Sequence, residues 1–171
     1  MEHIAAVNMI REGVAGPQWA DLGAGTGTFT RALAALMPKS NDTLIYAIDK
    51  DGTALQKIET RFNDVRIKKL SLDFITQDLP LTELDGILMA NALHYAEDKI
   101  PLLTKLKNML KPHGRLILIE YDTAKPNAWV PYPINFESAK EVLLNAGFQS
   151  VIKLAELPSV YHQRMYAALA V

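Results

Sequence analysis

The run Trp19–Ala34, WADLGAGTGTFTRALA, constrains the fold more than any other stretch of the chain. An apolar segment holding one acid, Asp21, ends in three glycines spaced two apart, Gly23, Gly25 and Gly27. It then passes into a helical pattern with Phe29, Leu33, Leu36 and Met37 on one face. A short apolar run closed by glycine reads as a buried strand, and Pro38 stops the helix. Strand, glycine turn and helix in that order open an α/β sheet. Glycines at such a turn allow positive φ and let a ligand approach the main chain. The helix start beyond them offers free N–H groups and the positive end of the dipole to an anion. Thr26 or Thr28 is placed to cap that helix.

The same alternation continues along the chain. Ile4, Val7 and Ile10 recur at helical spacing ahead of the first strand. TLIYAID reads as a second strand, and GTALQKIETRF as a helix with Leu55, Ile58 and Phe62 on one face. VRIKKLSLDF begins as an alternating strand, and only a short helix fits the Pro80 region that follows. LDGILMAN is a fourth strand, DKIPLLTKLKNMLKPHG a helix stopped by Pro112 and Gly114, and RLILIEY a fifth strand. After the loop KPNAWVPYP a helix runs from about Phe136 to Ala146, and SVIKLAEL and MYAALAV close the chain as two strands. Strands alternating with helices imply parallel pairing, right-handed crossovers and helices on both sheet faces. The last two strands have no helix between them and fit an antiparallel pair at one edge.

Bulk properties narrow the function. A chain of 171 residues holds one full domain. Its net charge of −1 supplies no basic face for nucleic acid, and the densest basic run, Arg66–Lys69, reads as a solvated strand face. With no cysteine, disulfides, thiolate nucleophiles and thiolate metal sites are excluded, which suits a cytoplasmic setting. No apolar run approaches the roughly 20 residues of a membrane helix, and the N-terminus does not read as a secretory signal.

The glycines do not match G-x-G-x-x-G/A, because the third position falls on Thr28, and no Gly-Lys-Ser/Thr follows them. The pattern is instead Asp21-x-Gly23-x-Gly25-x-Gly27. ADLGAGTGTFTRALA resembles the first motif of the class I S-adenosylmethionine-dependent methyltransferases. YAIDKD is similar to that family's acidic second motif and LSLDF to the segment beside the adenine. LDGILMANALHYAED and LKNMLKPHGRLILIEY are similar to the fourth strand with its exit and to the helix, turn and strand that follow.

The resemblance implies a doubly wound, mostly parallel seven-stranded sheet with an antiparallel terminal strand, in a single domain over residues 1–171. Residues 1–14 would form an N-terminal helix, 17–122 the cofactor half, and 123–171 the substrate side. It implies S-adenosyl-L-methionine as cofactor, held by Asp21, Gly23, Ala24, Gly25, Gly27, Asp49, Lys50, Asp73, Phe74 and Asn91. Asp49 has acceptor oxygens for a ribose diol, or it caps the helix after it. Asp21 attracts the ligand ammonium, or holds the glycine loop. Asp73 accepts from the adenine amino group and Phe74 covers the ring or donates its N–H nearby, or the two are a loop acid and a core aromatic. Lys50 and Asp51 edge the pocket, or Lys50 is surface charge.

Methyl transfer from a sulfonium needs alignment above all, and a general base only where the acceptor loses a proton. His94, in NALHY, is the candidate base because histidine titrates near neutral pH, with Tyr121 and then Asp122 next. NALHY stands where relatives that methylate base amino groups or glutamine amides carry Asp/Asn-Pro-Pro-aromatic. The acceptor implied is therefore a small molecule, methylated at oxygen, carbon or a non-base nitrogen. A protein or RNA acceptor, or a non-catalytic partner subunit of the same fold, are the alternatives. A dinucleotide oxidoreductase would need a pyrophosphate grip that the sequence lacks. Glu97 and Asp98 near His94 read as helix-start acids, so no metal site is expected. His3 and His113 look peripheral, and His162 lies in the terminal hairpin loop. Trp129, Tyr132 and Phe136 either cover the cleft or pack the crossover loop onto the sheet edge.

Overall fold

In the computed structural model, which describes residues 1–158 and 164–171, the elements follow the alternating order. His162 lies outside the described residues. The strands are β1 (Gln18–Leu22), β2 (Leu44–Asp49), β3 (Arg61–Phe62), β4 (Val65–Ser71), β5 (Leu84–Ala90), β6 (Leu110–Tyr121), β7 (Val151–Pro158) and β8 (Arg164–Ala170). The helices are α1 (His3–Ile10), α2 (Thr28–Leu36), α3 (Gly52–Gln56), α4 (Lys99–Lys107) and α5 (Phe136–Asn145).

The sheet order is β3-β4-β2-β1-β5-β6-β8-β7. β1 pairs in parallel with both β2 and β5, so the chain winds outward to β4 and then returns to the other side of β1. Strand order reverses between β1 and β5, and the carboxyl ends of those two strands open a crevice there. β8 lies antiparallel between β6 and β7 and closes that edge.

Two apolar layers flank the sheet. α1, α2 and α3 bury Ile10, Leu33 and Leu55 on one face, with Trp19, Ile45, Leu88 and Ile117 of the strands. α4 and α5 bury Leu103, Leu106 and Leu143 on the other, with Leu22, Ile87, Met89 and Leu118. Continuous apolar strands are what burial on both faces requires. Gly86 admits the Trp19 indole, since a Cβ there would stand 2.4 Å from the ring.

Three boundaries differ from the sequence reading. The second helix stops at Gln56, and Phe62 belongs to an eighth strand, β3, beyond the seven expected. Asn63 and Asp64 take φ of 47° and 68° and join β3 to β4 as a two-residue hairpin. That positive-φ turn is favourable for Asn and Asp and ends the helical run. The helix before the fifth strand stops at Lys107, because Leu110 already pairs with Leu84 and Pro112 holds its predecessor extended. Neither Thr26 nor Thr28 caps α2. The N-cap is Gly27, at φ 88°, and no side chain bonds the helix start.

Candidate functional site

The loop leaving β1 is built by hydrogen bonds to the end of β2. The N–H groups of Gly23 and Ala24 both donate to the Ile48 carbonyl, at 2.8 and 3.0 Å, and the Gly25 N–H donates to Asp49 Oδ2 at 2.8 Å. All three glycines have positive φ, but what surrounds them differs. A Cβ on Gly23 would stand 2.7 Å from Ala92 Cβ, and one on Gly27 would stand 2.9 Å from Ile58. A Cβ on Gly25 would meet nothing within 4 Å. Gly23 and Gly27 are therefore glycine for packing as well as φ, and of the three Gly25 alone presents bare main chain to space that no described residue fills.

The two acids flanking this loop are held differently. Asp21 is buried beneath it and accepts from Thr30 Oγ1 at 2.6 Å. Burial pushes its carboxyl up to about 7, the Thr30 hydroxyl opposes this, and the Asp49 charge adds to it. Asp49, partly exposed, accepts from the Gly25 N–H through Oδ2 and from the Asp51 N–H through Oδ1 at 2.9 Å. Each oxygen keeps a second lone pair for a ligand hydroxyl. The helix cap is Asp51 instead, whose Oδ1 accepts from Thr53 and Ala54.

Three hollows meet at Asn91. One of about 670 Å³ is lined by Asp21, Gly25, Thr26, Phe29 and Tyr121. A second, of about 430 Å³, is lined by Asp49, Lys50, Asp73, Phe74 and Tyr95. A third, of about 410 Å³, has His94, Tyr95, Tyr121, Asn127, Trp129 and Val130 in its walls. Asn91 lines all three. It sits at φ 52°, donates its N–H to the Ile119 carbonyl, and leaves its buried Oδ1 without a partner. A buried unpaired amide oxygen is costly, so one placed at a junction of cavities marks where a donor belongs.

In the second hollow Asp73 is tied into its own turn, accepting from the Ile75 N–H at 3.0 Å, and Phe74 is buried against the Gly23 side. Lys50 is exposed, with Nζ 5.9 Å from the centroid of the Tyr95 ring.

The third hollow contains a pair that sequence reading half found. His94 is 2% exposed and its Nδ1 lies 2.7 Å from Glu120 Oε2. Its backbone N–H donates to Glu120 Oε1 at 3.1 Å. Glu120, only 1% exposed, thus holds His94 at two points, one on the ring and one on the backbone. The missed signal was an acid within the apolar strand RLILIEY, where burial on both faces demands a partner. Tyr121 lies between the first and third hollows, its ring centroid 6.3 Å from that of His94. Asp122 is a structural acceptor, taking the Phe136 N–H at the start of α5.

The crossover loop divides the three aromatics between both readings made of it. Phe136 packs edge-on to Tyr166, at 5.6 Å, whereas Trp129 stands 81% exposed at the rim of the third hollow. The loop is anchored by buried Val130 and by the Tyr132 N–H, which donates to the His94 carbonyl. Among the described residues, no helix is long and apolar enough to cross a membrane.

A family profile described as a methyltransferase domain matches residues 20–116. An uncharacterized methyltransferase of Mycobacterium tuberculosis (strain ATCC 25618 / H37Rv) is 31% identical over 103 residues, or 60% of this chain and 50% of that protein. The chain thus spans about half the length of the curated mycobacterial relatives it matches. Among solved structures, an S-adenosylmethionine-dependent methyltransferase from Mesorhizobium loti aligns with a TM-score of 0.72 at 16% identity, covering 98% of this chain and 96% of that one. The CurJ carbon methyltransferase aligns with a TM-score of 0.73 at 23% identity, covering 93% of this chain and 50% of that one. At these identities the two structures speak to the fold alone.

Proposed function

The chain belongs to the class I S-adenosylmethionine-dependent methyltransferase family, and from that premise we propose that it methylates a small molecule at an atom that gives up a proton. The observation that carries this reading is the buried His94–Glu120 pair, whose His94 lines a hollow that shares Asn91 and Tyr121 with the glycine-loop cleft.

The residues present suit the cofactor. Gly25 offers the open approach, and Gly23, Ala24 and Gly27 shape the loop around it. Asp49 keeps acceptor capacity for a ribose diol. Asp73, Phe74 and Lys50 frame the adenine side, with Asp21 and the unpaired Asn91 oxygen toward the cationic methionine end. When bound, S-adenosylmethionine supplies an electrophilic methyl carbon on a sulfonium.

The chain's own part is positioning and proton transfer. Glu120 accepts from Nδ1–H, which leaves the Nε2 lone pair as the base and stabilises the imidazolium that forms. Nε2 would take the acceptor proton and so leave an electron pair on the acceptor atom. Hydroxyls and carbons beside a carbonyl are the acceptor atoms that need such help. Tyr121, against both hollows, is placed to orient the acceptor.

The test is turnover of an acceptor panel by wild type, His94→Gln and Glu120→Gln, with S-adenosylhomocysteine affinity measured alongside. His94→Gln is expected to lower kcat about 100-fold or more, within the range of a lost general base, and to leave cofactor affinity unchanged. Glu120→Gln, as a positioning change, should shift the pH profile as well as the rate. A His94→Gln enzyme at full rate would remove the base from the account.

A further inference from the structure

The hollow beside His94 has a chemistry distinct from the cleft it joins. Its described lining is three aromatic rings, two amides, one imidazole and Val130, with no Lys, Arg, Asp or Glu among those residues. Two lysines lie against aromatic rings of this region without entering that lining. Lys50 stands over the Tyr95 ring, and Lys99 Nζ donates to the Ala96 carbonyl at 2.8 Å and lies 5.6 Å from the Tyr132 centroid. Behind the His94 wall lies an acid, Glu120, whose Oε2 is 2.7 Å from the imidazole Nδ1.

The rim carries the second observation. Trp129 and Tyr95 are 81% and 49% exposed, while Trp19, Phe74, Phe148 and Tyr166 are buried. Aromatic faces of that size gain most by stacking on a flat partner. A cavity of about 410 Å³ lies within the ordinary range for small-molecule sites.

Resting on the reading that this hollow seats the methyl acceptor, we infer that it selects a flat, conjugated acceptor bearing no charge, and rejects the same skeleton carrying a carboxylate or phosphate. An anion entering here would shed its water, meet no cationic side chain among the described lining residues, and approach Glu120. A neutral phenol or a neutral enolisable dicarbonyl shares the required chemistry: a planar π-system between Trp129 and Tyr95 and one proton to yield to His94. A polymer of phosphodiesters does not.

The chain's two tryptophans make the test direct. Trp19 is fully buried under the sheet and Trp129 stands at the rim, so ligand-dependent change in indole emission reports on the hollow. Methyl 4-hydroxybenzoate and 4-hydroxybenzoate, at pH 7 with S-adenosylhomocysteine present, share the phenol and differ in the ester methyl that removes the remote charge. Ethyl benzoylacetate tests the carbon-acid form of the same chemistry. At least one of the two esters is expected to change Trp129 emission and to bind at least tenfold more tightly than the carboxylate, and which one binds separates phenol from dicarbonyl. Trp129→Leu, an exposed position that leaves the core intact, should abolish the signal and weaken ester binding several-fold in calorimetry. S-adenosylhomocysteine carries no methyl to transfer, so these titrations read binding alone, and a fault in the base assignment shows in turnover and not here. Equal or tighter binding of the carboxylate, or no binding of either ester at millimolar concentration, overturns the inference.

Discussion

Gly25 and Gly27 lie two residues apart, both at positive φ, yet a side chain would have different consequences at each. Both would strain the backbone, but at Gly27 it would also press on Ile58 and disturb packing, whereas at Gly25 it would enter the cleft. Asp49 joins that loop to β2 through the Gly25 N–H, so its removal should act on the cofactor twice, by losing ligand contacts and by loosening the loop. Asp49→Ala is expected to weaken S-adenosylhomocysteine binding by about 1–3 kcal/mol, the range for a charged hydrogen bond. Titration calorimetry checks this, and unchanged affinity would remove Asp49 from the site. Asp21 carries a pH signature. Its carboxyl titrates near 7 in the fold and at 3.8 as a free side chain, so the folded state holds the proton more tightly. Stability from this group is fully present below pH 4 and is lost as pH rises through 7, on the order of 4 kcal/mol in total. Asp21→Asn should flatten that slope, seen as a gain in Tm over wild type that is larger at pH 8 than at pH 5.

At the scale of elements, β1, its glycine turn and α2 were legible because each signal was local: an apolar run, glycines, then a 3.6-residue period. The α3–β3 boundary was not. Ile58 and Phe62 continue a helical period, and only the positive-φ turn at Asn63–Asp64 reveals the hairpin. Glu120 was hidden for another reason. It partners a residue 26 positions earlier, and one acid in an apolar strand says that a partner exists without saying which. His94, Asp21, Asp49 and Asn91 were readable as polar residues at strand exits, since the carboxyl ends of an open sheet face ligands. Two element-level predictions follow from packing. Gly86→Ala drives a methyl into the Trp19 ring and is expected to cost about 1–3 kcal/mol of stability, measured by urea unfolding. Asn127 Oδ1 accepts from the Trp129 and Val130 N–H groups at 2.8 and 3.0 Å, fixing the turn that presents the indole. Asn127→Ala should raise acceptor KM several-fold with cofactor affinity unchanged, and steady-state kinetics against calorimetry separates the two effects.

For the molecule as a whole, the reversal between β1 and β5 brings residues from distant parts of the chain to one crevice: the glycine loop, Asp49, Asn91 and the His94–Glu120 pair. The two apolar layers keep those strand ends in register, so the site is a property of the sheet and not of one loop. Because a ligand ammonium favours ionised Asp21, cofactor binding should strengthen as pH rises from 6 to 8 and release a proton. The heat of binding would then vary with the ionisation enthalpy of the buffer, and a buffer-independent heat would detach Asp21 from the ligand. The account's central claim is that the cofactor lies against the bare main chain at Gly25. Calorimetric titration of S-adenosylhomocysteine into wild type and Gly25→Val, each first shown to unfold cooperatively, tests it most directly. The account predicts saturable binding to wild type and none to the variant, while equal affinity in both would contradict it.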